Sequence, residues 1–342
     1  MQTVRIASVA VAHPPNRVTQ AEAAARIGVL SGDPRRVTAL ARASRISTRS
    51  TVLPPADLAA LGAIESRNDI YHEVAPRIAL RAAENALGES LRTEVGALVT
   101  SSCTGYSVPG WGVDLVQDLG LRCDTARLPI TEAGCAGGAV AIARAADYLS
   151  ARPGASALAV ASELCSLAFH AGGGEGNLTA TLIFGDGAGA ALLQTGPGRG
   201  LEVVDTMSVL IPGTQATLGF ALTDHGFYPI LTRELVDVLP GPTVTAVTTL
   251  LDRNGLDVDS LDACLLHPGG ARILTSLERA LGLPRGKARW SWDSMREFGN
   301  TSSAAIFDVI RRYLEGEPRG YSLVAAFGPG VSIELMLVRA SC

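Results

Sequence analysis

The sequence has no excess of basic residues. It contains 29 Lys and Arg against 33 Asp and Glu among 342 residues, which gives a net charge of −4 and a pI near 5.8. A protein that binds nucleic acid through its phosphates needs a broad basic surface. We therefore expect no nucleic-acid partner.

Long apolar runs and paired cysteines are also missing. No apolar run reaches the ~18 residues of a membrane span. The apolar stretch at residues 4–12 is too short and too often broken by polar residues for a secretion signal. The six cysteines form no Cys-x-x-Cys pair and no zinc spacing, which predicts free thiols. We therefore expect a cytoplasmic protein that is not in a membrane.

The chain is long and apolar enough to bury a large core. With 47% hydrophobic residues, it can form two domains or one large duplicated unit. Apolar runs of strand length alternate with helical patterns, which predicts α/β architecture. Strands are predicted at residues 4–12, 95–101, 127–131, 157–165, 201–209, 263–267 and 321–326, and helices within 19–51 and at 70–91, 139–149 and 244–251.

Two glycine-rich segments are predicted to be loops. Residues 172–176 are not a phosphate-binding loop, because no Lys followed by Ser or Thr comes after them. Residues 196–200 mark the natural boundary of two halves, 1–196 and 197–342.

Cys135 is a candidate nucleophile. It stands after a short apolar strand and before a helix whose small residues recur at helical spacing, at Ala139, Ile142, Ala143, Ala146 and Leu149. The N-terminus of a helix favours a thiolate, so we expect a lowered pKa for the thiol. The alternative is a structural cysteine that packs like a small hydrophobe, and this stretch alone does not decide between them.

A second copy of the pattern lies in the other half of the chain. Residues 134–149 align without gaps with residues 299–314, at an offset of 165 residues. At nearly the same offset, residues 97–101 correspond to residues 263–267, and both are apolar runs that end in a polar loop. An internal duplication places such elements around a pseudo-twofold axis. Chance similarity of two alanine-rich helices is the alternative.

The duplication predicts that Cys135, His267 and Asn300 converge at one central site. His267 follows a buried strand, where α/β folds place ligands, and its imidazole can hold a thiolate and later donate to an acyl oxygen. Asn300 adds an amide donor suited to an oxyanion or enolate. The other four histidines lie in loops or beside polar residues and are interpreted as surface groups: His13, His72, His170 and His225.

Five motifs, in this order, resemble the type III polyketide synthases, the chalcone-synthase-like branch of the thiolase fold. They are residues 134–138 (Gly-Cys-Ala-Gly-Gly), 184–187 (Phe-Gly-Asp-Gly), 267–270 (His-Pro-Gly-Gly), 299–303 (Gly-Asn-Thr-Ser-Ser) and 327–330 (Phe-Gly-Pro-Gly). The resemblance extends over nearly the whole chain. Ketoacyl synthase III enzymes share the Cys-His-Asn set and an Asn-Thr-Ser turn. The His-Pro-Gly-Gly motif at 267–270 and the Phe-Gly-Pro-Gly motif at 327–330 are more similar to the type III branch.

The resemblance implies a homodimer of αβαβα protomers and a complete reaction. Cys135 would accept an acyl group from a coenzyme A starter, and His267 and Asn300 would stabilise the enolate left when malonyl-CoA loses carbon dioxide. That carbanion would attack the Cys135 thioester, extension would repeat, and the poly-β-keto chain would cyclise in the same cavity. Enzymes of this kind use coenzyme A thioesters as substrates and need no metal or bound cofactor.

The resemblance also implies a substrate pocket formed by Cys103, Val108, Cys165, Phe184, Phe220 and Gly330. Phe184 resembles the family's gatekeeper between cavity and entry tunnel, although core packing is the alternative. Cysteines at 103 and 165 resemble bacterial tetrahydroxynaphthalene-synthase-like members. Val108 matches a loop that reaches into the neighbouring subunit's cavity.

The chain departs from plant members at several pocket positions. Pro229 stands in place of a second gatekeeper phenylalanine, and Phe220 and Ala180 replace glycines, so we expect Phe220 to shrink or redirect the cavity. A basic cluster in the N-terminal helical segment suits coenzyme A phosphates or a solvated helix face: Arg35, Arg36, Arg42, Arg45 and Arg49. Arg36 and Arg42 do not align cleanly with the family's coenzyme A-binding positions.

Two other functions stay open at this stage. A ketoacyl synthase III-like enzyme or acyltransferase would use the same three residues for a single condensation or transfer. An inactive thiolase-fold partner in a heterodimer would be expected to lose the nucleophile, yet Cys135, His267 and Asn300 are all present.

Overall fold

The computed structural model describes residues 3–88, 92–168 and 175–341. His170 and residues 172–174 of the first glycine-rich segment lie outside the described residues. Within them, the strands are β1 Val4–Ala12, β2 Asn16–Thr19, β3 Thr48–Thr51, β4 Val95–Ser101, β5 Ala126–Ile130, β6 Ser156–Leu164, β7 Asp186–Thr195, β8 Gly200–Leu210, β9 Leu218–Thr223, β10 Gly226–Leu231, β11 Leu261–Leu266, β12 Tyr321–Gly328 and β13 Ser332–Ser341.

The helices of the same described ranges lie between these strands along the chain. They are α1 Gln20–Ser31, α2 Pro34–Ser44, α3 Pro55–Ala60, α4 Ile64–Leu87, α5 Gly112–Asp118, α6 Gly137–Ser150, α7 Glu175–Ile183, α8 Leu235–Val238, α9 Pro240–Asp252, α10 Ala271–Ala280, α11 Arg289–Phe298 and α12 Ala305–Glu315. All the predicted strands are present, and the helix predicted at 70–91 begins six residues earlier, at Ile64.

Local sequence signals explain where several elements begin. Thr19 caps α1 by accepting a hydrogen bond from the Glu22 amide at 3.2 Å, while the Glu22 carboxylate accepts one from the Thr19 amide at 2.8 Å. This reciprocal pair is the capping box expected of a Thr-x-x-Glu sequence. Asp33 caps α2, which begins with Pro34, a residue that suits the first helical position.

The main sheet repeats one strand order in the two halves of the chain. The first half contributes β1-β7-β6-β4-β5 and the second contributes β8-β13-β12-β11, and antiparallel pairing of β1 with β8 joins them. In each half the first three strands are antiparallel and the next pair is parallel. The strand β4 therefore corresponds to β11, and β6 to β12.

Helices lie on both faces of the sheet and between its two halves. One core holds apolar side chains of α6 and α12 together with strands from both halves. A second core lies between α4 and the outer face of the first half. The third lies between the second half and α9, α10 and α11. These layers form the expected αβαβα arrangement, with α6 and α12 at its centre.

Small residues let the two central helices meet closely. A methyl group on Gly138 would collide with the Ser303 carbonyl oxygen, and it would lie 2.9 Å from the Phe307 ring. No larger residue fits there without moving the backbone, because overpacking a dense core is destabilising. The starts of α6 and α12 are thereby brought to the same place.

Across the described residues, no helix has both the length and the apolar character that a membrane crossing needs.

Candidate active site

Cys135 lies in a 3₁₀ turn, Gly134–Ala136, directly before α6. Gly134 has a φ of +52°. A Cβ atom there would lie 2.5 Å from Pro329 Cδ, so the close approach of the 327–330 loop also requires glycine. The Cys135 Sγ lies 3.7 Å from Ser302 Oγ and 3.9 Å from Asn300 Nδ2. The loops that precede α6 and α12 therefore meet at the sulfur atom.

The pKa of Cys135 differs from the sequence-based expectation of a lowered value. Removal from water raises the pKa of the thiol to about 11, and the nearby Glu163 carboxylate acts in the same direction. Contacts with Ser302 and Asn300 lower the pKa by less. Desolvation opposes the charged thiolate, and here it outweighs the helix terminus. The thiol is therefore protonated at neutral pH in this geometry.

His267 stands directly after β11 and is 2% exposed. Its amide donates to the Ala325 carbonyl oxygen at 2.7 Å, which extends the pairing of β11 with β12. Within the part of the chain that the structure describes, neither ring nitrogen has a hydrogen-bond partner. Burial lowers the pKa of the imidazole to about 3. A neutral imidazole whose two nitrogens are unpaired is a group ready to bind a ligand.

The main chain and a neighbouring amide fix Asn300. Its Oδ1 accepts a hydrogen bond from the Ser302 amide at 2.8 Å, so its Nδ2 points the other way, toward Cys135. Asn300 also forms a parallel β-bridge with Phe184. In that bridge the Asn300 amide donates to the Ile183 carbonyl at 2.9 Å, and the Gly185 amide donates to the Asn300 carbonyl at 2.9 Å. The amide donor of Asn300 is therefore held at a fixed place.

A cavity of about 450 Å³ contains the three residues predicted to be catalytic. Cys135, His267 and Asn300 line it together with Phe184 and Phe327. The remaining wall comes mainly from α2, α7, α8 and the start of α10. The duplication thus predicted a real convergence, although the chemical roles of the three side chains stay predictions at this point.

A second cavity of about 60 Å³ lies on the other side of Phe184. Cys165, Phe220 and Pro229 line it, as does Ala180, and Phe184 borders both cavities. Phe220 makes an edge contact with Phe227, with ring centroids 6.0 Å apart. Phe184 therefore lies between the two cavities, and its role as a gatekeeper stays a prediction.

Three predicted pocket residues lie elsewhere in the described chain. The Cys103 Sγ is 3.4 Å from both Ser302 Oγ and a Glu163 oxygen, deep beside the Cys135 turn. Val108 is 79% exposed at the surface. Gly330 accepts a hydrogen bond from Thr214 Oγ1 at 2.8 Å, and its φ of +116° favours glycine. Their contact with substrate stays a prediction.

The basic residues predicted to form a cluster near residues 35–49 lie in different surroundings in the structure. Arg49 is 4% exposed and donates to main-chain carbonyls, so it is not available to a phosphate. Arg45 lies over the Trp292 ring, 5.0 Å from its centroid. The helix α2 nevertheless forms one wall of the large cavity. Two cavity-lining arginines were not predicted, Arg233 and Arg272.

Sequence reasoning also missed a buried acid beside the nucleophile. Glu163 is fully buried in β6, and it accepts hydrogen bonds from Thr104 Oγ1 at 2.8 Å, from the Cys103 amide at 3.1 Å and from Ser303 Oγ. Burial raises the pKa of this carboxyl. The available signal was a single Glu within an otherwise apolar or small-residue strand.

Comparison with known proteins agrees with this fold and site. The family patterns described as chalcone and stilbene synthases match twice, the N-terminal domain at residues 48–197 and the C-terminal domain at residues 202–342. The chain is 34% identical over 300 residues to 1,3,6,8-tetrahydroxynaphthalene synthase of Streptomyces coelicolor, covering 85% of this chain and 79% of that protein. It is 30% identical over 358 residues to the alpha-pyrone synthesis polyketide synthase-like Pks18 of Mycobacterium tuberculosis. This match covers 97% of this chain and 90% of that protein.

The solved structure of the same Streptomyces coelicolor synthase superposes on this chain with a TM-score of 0.94. The sequence identity is 30%, and the match covers 99% of both chains. These similarities establish the thiolase fold of the type III polyketide synthases. The chain belongs to the chalcone and stilbene synthase family and is a type III polyketide synthase, an acyltransferase that catalyses decarboxylative condensation.

Proposed function

We propose that Cys135 carries the growing acyl chain while His267 and Asn300 stabilise the negative charge that develops on thioester oxygens. The observation that carries this proposal is the convergence of the three side chains on one cavity. Within the described residues, His267 brings two unpaired nitrogens to that cavity.

The first step is loading of the starter from its coenzyme A thioester. The Cys135 sulfur forms a bond to the acyl carbon, and the bond from that carbon to the coenzyme A sulfur breaks. Both Cys135 and His267 favour their neutral forms here, with pKa values of about 11 and about 3. The thiol proton therefore passes to the imidazole during attack and then to the leaving thiolate.

The second step is extension with malonyl-CoA. Loss of carbon dioxide leaves an electron pair that is delocalised onto the thioester oxygen as an enolate. A neutral imidazole has one N–H donor, and Asn300 Nδ2 supplies another, so together they can hold this oxygen. The enolate carbon then attacks the Cys135 thioester and releases the cysteine sulfur, which leaves the extended chain on coenzyme A. Attack of the Cys135 sulfur on this new thioester returns the chain to the cysteine, and coenzyme A leaves as its thiol. These steps use only side chains and the thioesters themselves.

The wall of the large cavity carries groups suited to the phosphates of coenzyme A. Arg272 is the second residue of α10, and Arg233 precedes α8 on the same wall. Gly270, the N-cap residue of α10, has no side chain that could accept a hydrogen bond from the first amides of this helix, and Gly270 and Ala271 line the cavity. Guanidinium groups match phosphate oxygens well. We therefore place the carrier at α10 rather than at Arg36 and Arg42.

The small cavity behind Phe184 supports a short product. A volume of about 60 Å³ holds about four to six water-sized groups, since each needs about 10–15 Å³. The named product of the Streptomyces coelicolor relative, a tetrahydroxynaphthalene, has about fourteen heavy atoms and would not fit there. We propose few extensions, in which the small cavity receives only the first atoms of the chain and ring closure takes place in the larger cavity that Cys135 lines.

The proposed assembly is a homodimer. Tyr106 and Val108 are 67% and 79% exposed in the loop between β4 and α5, and large apolar side chains grouped at a surface mark interaction sites. A neighbouring copy of this chain would cover them. The cytoplasmic location stays a prediction from the sequence.

The proposed function is tested with purified protein and malonyl-CoA, alone and with a panel of acyl-CoA starters. Products are followed by mass spectrometry beside Cys135→Ala. Cyclised polyketides that disappear in the variant support the proposal and identify the starter. Acylation of Cys135 without decarboxylation would show an acyltransferase, and a single condensation product would show a ketoacyl synthase III-like enzyme.

A further inference from the structure

Arg49 is a buried charged residue that the proposed chemistry does not use. It lies on β3, is 4% exposed, and its Nη1 donates to the carbonyl oxygens of Thr181 and Phe184, the latter at 2.8 Å. Burial lowers the pKa of its guanidinium to about 10, which leaves it charged at neutral pH. A buried charge is costly unless it is compensated, and here the Asp186 carboxylate and the two carbonyl oxygens compensate the guanidinium.

The carbonyls that Arg49 binds are those at the end of α7. Thr181 belongs to the last turn of this helix, and Phe184 follows one residue after its end. The last carbonyls of a helix have no partner within the helix, and a cation at this end interacts favourably with its dipole. Arg49 thus caps α7 at the residue that borders both cavities.

The aliphatic part of Arg49 packs against the two glycines beside the Phe184–Asn300 bridge. A Cβ on Gly299 would lie 3.0 Å from Arg49 Cγ and Cδ, and one on Gly185 would lie 3.3 Å from Arg49 Cβ. Gly185 follows Phe184, and Gly299 precedes Asn300. One side chain therefore supports both strands of the bridge, its stem on the glycines and its guanidinium on the Phe184 carbonyl.

We propose that Arg49 is a positioning residue that holds Asn300 and Phe184 in register across the two halves of the chain. This inference rests on the proposed roles of Asn300 as oxyanion donor and Phe184 as the wall between cavities. The bridge has two main-chain hydrogen bonds, so its geometry depends on what packs behind it. Without the guanidinium, the end of α7 loses its cap, and the amide donor shifts relative to Cys135.

The test compares Arg49→Ala and Arg49→Lys with the unmodified protein in malonyl-CoA decarboxylation and in product distribution. A misplaced donor lowers the rate of the chemical step, so kcat falls about 10- to 100-fold while KM changes little. Added guanidinium ion at millimolar concentration fills the vacated site and restores part of kcat in Arg49→Ala. Arg49→Lys keeps the charge but lacks the planar guanidinium with its several N–H donors. We expect its kcat to lie between those of the unmodified protein and Arg49→Ala.

Arg67→Ala is the matched control. Arg67 is 6% exposed and also donates to main-chain carbonyls, those of Leu61, Gly62 and Leu167. It is expected to lower the melting temperature without a selective fall in kcat and without guanidinium rescue of kcat. If Arg49→Ala is too unstable to purify, Arg49→Lys decides by the same kcat and product readouts.

Asn300→Ala separates this inference from the function on which it rests. If Asn300→Ala decarboxylates malonyl-CoA as fast as the unmodified protein, the proposed function fails. If Asn300→Ala is impaired while both Arg49 variants keep their kcat and product pattern, Arg49 is structural only and the inference is overturned. A fall in kcat for Arg67→Ala equal to that of Arg49→Ala would also overturn it.

Discussion

The protonation state of His267 is set by its surroundings and can be measured through the reaction. Burial lowers its pKa to about 3, and no acidic side chain contributes to that shift. A lowered histidine pKa means that the folded protein holds a neutral imidazole throughout the usual working range. It also means that lowering the pH through 6.5 destabilises the fold, because the unfolded chain binds a proton that the folded site does not.

We expect malonyl-CoA decarboxylation by Cys135→Ala to be independent of pH between about pH 5 and 8. This variant removes the thiol and leaves His267 and Asn300 to act on the enolate. The measurement is kcat for carbon dioxide release at each pH, with His267→Gln as the control that keeps a neutral donor. An acid limb with a midpoint near 6.5 would show that His267 takes up a proton as an exposed imidazole does, which would contradict this prediction.

Phe220 lines the inner cavity, and its effect on product length can be tested with a single substitution. We expect Phe220→Gly to enlarge the cavity of about 60 Å³ and to shift products toward longer chains. The measurement is the mass distribution of products at saturating malonyl-CoA. Leu222→Gly is the matched control, because Leu222 lies on the same strand β9 but is 66% exposed. Unchanged products in Phe220→Gly would mean that the chain grows elsewhere.

At the scale of elements, the contact between the starts of α6 and α12 positions the candidate active site. Gly138→Ala would place a methyl group against the Ser303 carbonyl and the Phe307 ring. We expect a loss of about 1–3 kcal/mol in the free energy of unfolding, together with reduced condensation, because the Cys135 turn must move. Urea denaturation and product formation measure the two effects.

Gly241→Ala is the matched control for Gly138→Ala. Gly241 also lies in the first turn of a helix, α9, and nothing lies within 4 Å of the position of its Cβ. We expect this substitution to be neutral or to stabilise by about 0.4–1 kcal/mol, since alanine reduces the entropy of the unfolded chain. If both variants lose the same stability, the collision at Gly138 is not the cause.

The elements that could be predicted from the sequence are those with a strong local pattern or a repeat. The pairs β4 with β11 and α6 with α12 follow from an offset of 165 residues, and with them the convergence of Cys135, His267 and Asn300. The burial of Arg49 could not be predicted, because it arises from α7 and α11, which are distant in sequence. The hairpin of β9 and β10 was missed because it lies outside the repeated layers.

At the scale of the whole molecule, the exposed loop between β4 and α5 predicts assembly. A side chain as apolar as Val108 that is 79% exposed beside Tyr106 is stabilised when a partner covers both. The same loop continues from Cys103, which lies beside the Cys135 turn, so contact at the surface is linked to the site by only a few residues.

We expect the protein of 35.4 kDa to sediment as a dimer and Val108→Asp to shift it toward the monomer. A carboxylate buried in an apolar interface without a partner is strongly unfavourable. Analytical ultracentrifugation across a concentration series measures the change.

Val29→Asp is the control, because Val29 is 80% exposed but lies at the end of α1. If Val108→Asp stays dimeric while Val29→Asp dissociates, the interface lies at α1 and the loop does not form it. If the unmodified protein is monomeric at every concentration, no second copy covers Val108. In that case one chain alone forms the site.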